Sequence, residues 1–152
     1  MGVSCAVITS AYGRQSQGTV RPHLLDLPVS QYGVDMADHT DDLRLAHILA
    51  DDADSLTMSR FGARDLTVST KPDHSEVTDA DLAVEDSVRR TLSRMRSRDA
   101  VHGEERADTG DGPRRWIIDP IDGTANFLRG VPVWATLIAL SVEDQIVASV
   151  VS

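Results

Sequence analysis

Two short stretches carry residues that could do chemistry together: Gly103-Glu104-Glu105 and Asp119-Pro120-Ile121-Asp122-Gly123-Thr124. A hard divalent cation such as magnesium takes oxygen ligands in near-octahedral geometry and keeps several waters, so a few carboxylates at a strand end or loop can hold it. Asp119 and Asp122 bracket Pro120-Ile121. The proline fixes its own φ and restricts the residue before it, so both carboxylates can be held at one locus with little entropy left to lose. Gly123 allows close backbone approach, and the amides of Gly123 and Thr124 open a short helical turn, where exposed N–H groups suit a phosphate oxygen. Glu104, presented by Gly103, is a third candidate ligand from a separate segment. A carboxylate near the cation and the Thr124 hydroxyl could position and deprotonate a water whose pKa the cation lowers, while the cation also stabilises charge on the phosphoryl oxygens. The implied reaction is direct hydrolysis of a phosphate monoester without a phosphoenzyme.

Taken singly, the same residues have plainer readings. Glu104-Glu105 alone is a solvated surface pair, and Asp119 before Pro120 alone is an ordinary turn. The combination favours a metal and phosphate site, and from the residues alone both readings stay open.

The elements that must position these groups follow from periodicity. Leu43, Ala46, Ile48, Leu49, Ala53, Leu56 and Phe61 predict an amphipathic helix over 41–61 with acidic residues on its outer face, ended by Gly62. Leu66 and Val68 predict a short strand, and Lys71-Pro72-Asp73 a loop. Thr78 caps a second helix with Asp81 three residues on, and Leu82, Val84, Val88, Leu92 and Met95 form its buried stripe. Arg89, Arg90, Arg94, Arg96 and Arg98 crowd its far end, which the helix dipole explains. Val101-His102 suggests a strand leading into Gly103, and 106–113 is a polar turn. Trp116-Ile117-Ile118 is a buried strand delivering Asp119, and the β-rich runs 133–142 and 145–151 form a hairpin around Glu143-Asp144. Helices followed by strands indicate an α+β fold.

With 152 residues, 41% of them hydrophobic, the chain suits one domain. Residues 1–35 show no sustained period and are expected to form a disordered arm, which a start codon assigned upstream of Met36 would also explain. The formal net charge of -9 argues against binding nucleic acid. A phosphorylated small molecule is compatible with an acidic surface if a cation bridges the two. No apolar run is long enough to cross a membrane. One cysteine, Cys5, allows no intrachain disulfide, and a reducing cytoplasmic location is expected.

The string WIIDPIDGTANF at 116–127, with GEE at 103–105 and VTDAD at 77–81, resembles the inositol monophosphatase family. Residues 60–85 and 129–140 are further similar to its actinobacterial histidinol-phosphatase branch. The resemblance implies a layered sugar-phosphatase fold with two N-terminal helices on a mostly antiparallel sheet. It implies two or three magnesium ions at a complete site, with Glu104 binding metal and helping to activate water, Asp119 bridging two metals, and the Ile121 carbonyl and Asp122 carboxylate as further ligands. It also places phosphate on the Gly123 and Thr124 amides, uses Asp81 to orient Thr124, sets Lys71 nearby, and makes a homodimer common.

The family has a further metal-binding aspartate in a Trp-Asp motif well into its carboxy-terminal half, together with most of the alcohol-binding residues. The expectation is therefore a truncated, amino-terminal half over 36–152. The leading reading is magnesium-dependent hydrolysis of L-histidinol phosphate in histidine biosynthesis. The alternatives are an inositol 1-phosphate or adenosine bisphosphate phosphatase, or an inactive fragment or interaction module.

Overall fold

A computed structural model describes residues 5–6, 39–72 and 74–152. The arm expected over 1–35 lies outside the described residues, apart from β1 (Cys5–Ala6). The remaining order is α1 (Thr40–Arg60), β2 (Val68–Thr70), β3 (Glu76–Thr78), α2 (Asp79–Met95), β4 (Ala100–Gly103), β5 (Arg114–Asp122), α3 (Thr124–Leu128), β6 (Ala135–Val142) and β7 (Gln145–Val151). Among the described residues the main sheet runs β1-β7-β6-β5-β4, and β2 and β3 form a separate ribbon. The β4–β5 pair is parallel and the other pairs of the main sheet are antiparallel. This is the expected α+β fold. No described helix is long and apolar enough to cross a membrane.

Both long helices lie against the sheet. Leu45, Ala46, Leu49, Ala50 and Ala53 of α1 meet Val84, Val88 and Leu92 of α2 above Trp116, Ile118, Ile138, Leu140, Ala148 and Val150 of the strands. Two residues assigned to buried stripes are exposed instead, Ile48 at 52% and Met95 at 53%. Ile48 stands about 200° around the helix from Ala46, at roughly 100° per residue, so its spacing from Leu49 cannot bring it to the core. The stripe continues instead through Asp42, which is buried although it is acidic. The β6–β7 hairpin turns at Glu143 and Asp144, both at positive φ, as a two-residue loop between right-twisted strands requires.

Asp42 is buried because three elements converge on it. Its Oδ1 accepts from Arg96 Nε at 3.0 Å and from an Arg114 guanidinium nitrogen at 2.9 Å, and Oδ2 lies 3.3 Å from His39 Nδ1. Arg114 also donates to Asp99, whose other oxygen accepts from Trp116 Nε1 at 2.9 Å. The start of α1, the end of α2 and the start of β5 are thus tied at one carboxylate. Burial pushes the Asp42 pKa upward, but the hydrogen bonds from Arg114, His39 and Arg96 prevail and hold it below the ordinary aspartate value.

Asp42→Asn should cost about 1–3 kcal/mol in urea unfolding near neutral pH, because it leaves two partly buried guanidinium groups without their shared anion. With the folded pKa depressed, the contribution is present above the unfolded aspartate value and is lost as pH falls through the folded one. The stabilities of wild type and variant should therefore converge in acid.

Candidate active site

The site forms where β4 ends beside β5. Their parallel register sets Gly103 opposite Ile118, and the Glu104 amide donates to the Ile118 carbonyl at 3.2 Å, which brings Glu104 alongside Asp119. The 106–113 turn contains more order than expected. Thr109 bridges back to Val101 through N–H···O bonds of 2.8 and 2.9 Å before the chain reaches β5.

Residues three apart on a regular strand face opposite ways. Between Asp119 and Asp122, however, the β5–β6 register shifts: Asp119 pairs with Leu137 and Asp122 with Ala135, so β5 holds one extra residue. A bulge of this kind turns side chains that would alternate toward a common side. Thr136 fixes it by donating to the Pro120 carbonyl at 2.8 Å. The loop then turns at Gly123, whose φ of 95° belongs to the left-handed region. A methyl group there would stand 3.2 Å from the Val133 carbonyl. Beneath it Phe61, Phe127 and Trp134 form an aromatic floor with ring centroids 4.3–5.6 Å apart, joined by Ile121 and Ala80.

Thr124 opens α3, so its amide has no partner within that helix. Its hydroxyl donates to the Ile121 carbonyl at 3.0 Å and lies 3.4 Å from Asp81 Oδ1. The second Asp81 oxygen accepts the Thr78 amide and hydroxyl, completing the expected capping box of α2. Burial raises the Asp81 pKa against the pull of these hydrogen bonds.

Among the described acids Asp119 is the most perturbed. Burial first, and then the neighbouring carboxylates of Glu104, Asp122 and Asp81, push it up to about 7. Its Oδ1 is buried with no hydrogen-bond partner. Buried polar atoms are almost always bonded, so an orphaned oxygen among like charges fits a cation. Among the described residues no three His, Cys, Asp or Glu side chains converge tightly enough to hold a metal by themselves.

Lys71 lies on the other side of Glu104. Its ammonium donates to Glu104 Oε1 and to Glu105 Oε1, both at 2.8 Å. Burial works to lower the Lys71 pKa, yet the two glutamates hold it above the usual lysine range. Glu105, nearly buried, is itself raised by burial, with Lys71 opposing. The structure therefore brings Glu104, Asp119, Ile121, Asp122, Gly123, Thr124, Asp81 and Lys71 into one region.

The model of the inositol monophosphatase family matches residues 39–152. The chain belongs to that family. It is 66% identical over 105 residues to a histidinol-phosphatase of Streptomyces coelicolor, covering 69% of this chain and 40% of that protein. It is 62% identical over 107 residues to a histidinol-phosphatase of Mycobacterium tuberculosis, covering 70% of this chain and 41% of that one. A solved structure of the extragenic suppressor protein SuhB from Bartonella henselae superposes with a TM-score of 0.70 at 33% identity, covering 74% of this chain and 45% of that one. The chain thus spans about two fifths of the length of those two histidinol-phosphatases.

In magnesium-free buffer above neutral pH, Asp119→Asn should stabilise this family member by about 1–3 kcal/mol in thermal or urea unfolding, because it removes a crowded charge. A raised folded pKa makes wild type progressively less stable as pH rises from the ordinary aspartate value toward about 7. The advantage of the variant should therefore fade as pH falls. Calorimetric titration with magnesium should show weaker binding to the variant.

Proposed function

We propose that the chain is the amino-terminal part of a magnesium-dependent phosphomonoesterase that hydrolyses L-histidinol phosphate to L-histidinol and phosphate, with water as the nucleophile. The reading rests on one observation above the rest: Glu104 and Asp119, delivered by adjacent parallel strands, crowd around an orphaned Asp119 oxygen. The substrate assignment is supported by the histidinol-phosphatase relatives at 66% and 62% identity.

Glu104, Asp119, the Ile121 carbonyl and Asp122 would hold the metal, two or three ions at a complete site. When bound, magnesium would neutralise charge on the phosphoryl oxygens and acidify water. The remaining work falls to the chain. Thr124 Oγ1 would take the proton of the attacking water while passing its own toward Asp81 Oδ1, 3.4 Å away. Asp81 suits that role because burial makes its carboxylate a better base than an ordinary aspartate. The amides of Gly123 and Thr124 would bind phosphate, and the left-handed φ of Gly123 turns the chain so that they adjoin the two aspartates. Lys71 would hold Glu104 in place until metal arrives.

In a protein extended to the full length of the histidinol-phosphatase relatives, magnesium-dependent phosphate release from L-histidinol phosphate should exceed that from inositol 1-phosphate. Equal or reversed rates reject the substrate assignment. Thr124→Ala should lower kcat by about 10²-fold or more, while Thr124→Ser keeps most of it.

A further inference from the structure

Glu85 is a carboxylate on the buried face of α2, between Val84 and Val88, and it is 0% exposed. Acidic side chains are almost never fully buried unless paired. Two of its partners lie on the loop that carries Glu104 and the third on α2 itself. One oxygen accepts the Glu105 amide at 2.7 Å, and the other accepts the Arg106 amide at 3.1 Å and Arg89 Nε at 2.7 Å. Arg89, one turn further along α2, also reaches Thr109 Oγ1 at 3.0 Å and the Arg106 carbonyl at 3.4 Å. Asp86 adds two bonds to the Arg106 guanidinium, at 3.0 and 2.8 Å. One face of α2 therefore grips the segment 105–109 at several points.

Gly103 reports the closeness of this grip. A methyl group there would lie 2.1 Å from a Glu85 carboxylate oxygen, so a side chain at that position would have to push the Glu85 carboxylate out of its present place. Glu104 sits between the two anchored points. Its own amide is held by β5, and the next two amides are held by Glu85.

We infer that Glu85 is a positioning residue: with Arg89 balancing its charge, it clamps the backbone of residues 105–106 so that the Glu104 carboxylate faces Asp119. The inference rests on the metal site proposed above and extends it to a residue outside the ligand set. A carboxylate that receives two successive amides fixes the backbone directions on both sides of a peptide, and with them the exit vector of the preceding side chain. A purely structural acid would stabilise the fold without biasing Glu104.

The test uses the 152-residue chain and manganese or magnesium ions as probes. Glu85→Gln has the same shape and keeps one acceptor oxygen, whereas Glu85→Ala removes both. Amide exchange at Glu105 and Arg106 should accelerate at least tenfold in the Gln variant, with α1 and β6 unchanged, as expected when a local opening is separated from global unfolding. Its metal Kd should rise about tenfold, the lower end for loss of a group that orients a ligand. If Glu85 acts through Glu104, that loss should vanish in a Glu104→Gln background, since groups that work as a unit are not additive.

An unchanged Kd in Glu85→Gln, or a full loss that persists without Glu104, overturns the inference. Should wild type bind no metal, the metal-site reading falls by itself and the clamp is judged on exchange: lost protection at Glu105 and Arg106 sustains it, and retained protection overturns it. Unfolding of Glu85→Ala does not affect this decision, because the isosteric variant carries it.

Discussion

Like charges at close quarters are the condition around which this region is built. Asp119 shares its surroundings with Glu104, Asp122 and Asp81, and each of them, together with burial, opposes its ionisation. Water would separate such groups readily. Here the backbone holds them, so the cost of assembly falls on the fold before any ligand arrives, as is general at preorganised sites. A hard cation would reverse the sign of these interactions and turn repulsion into shared attraction.

Several features contain that repulsion. Parallel pairing of β4 with β5 makes the approach of Glu104 to Asp119 a property of strand register, which side-chain motion cannot easily undo. Lys71 bridges Glu104 and Glu105 and sets a positive charge against both. Asp81 spends one oxygen on the start of α2 and turns the other to Thr124, so the same carboxylate serves helix initiation and the Thr124 hydroxyl. Farther away, Asp42 joins the ends of both long helices to the start of β5 and keeps that strand in place beneath them.

Much of this was legible in the sequence for identifiable physical reasons. Helical spacing set α1 and α2 to within a residue or two of their ends, because long amphipathic periods are hard to mistake. The Thr78 and Asp81 cap was legible because capping chemistry is local. The parallel partnership of β4 was not, since a four-residue strand carries no information about its neighbour or direction. Asp42 and Glu85 were missed for a related reason: an acid is read as solvent-facing unless its distant cationic partner is known. The available signal was position, for Glu85 lies on the apolar stripe of α2 and Asp42 on that of α1. Arg89 and Arg96, explained by the helix dipole alone, have specific partners in the 105–109 loop and at Asp42.

The extra residue between Asp119 and Asp122 sets the phase of Asp122 relative to the rest of β5. Adding or deleting one residue there would turn one of the two acids to the opposite face of the strand and take it away from the other and from Glu104. No compensating rotamer can correct an error of parity. Length changes in the 106–113 crossover alter only a surface path, provided its contacts with α2 are kept. Natural variation should therefore be unevenly distributed: insertions and deletions can accumulate in the crossover, while the four-residue interval Asp119 to Asp122 behaves as an indivisible unit of counting.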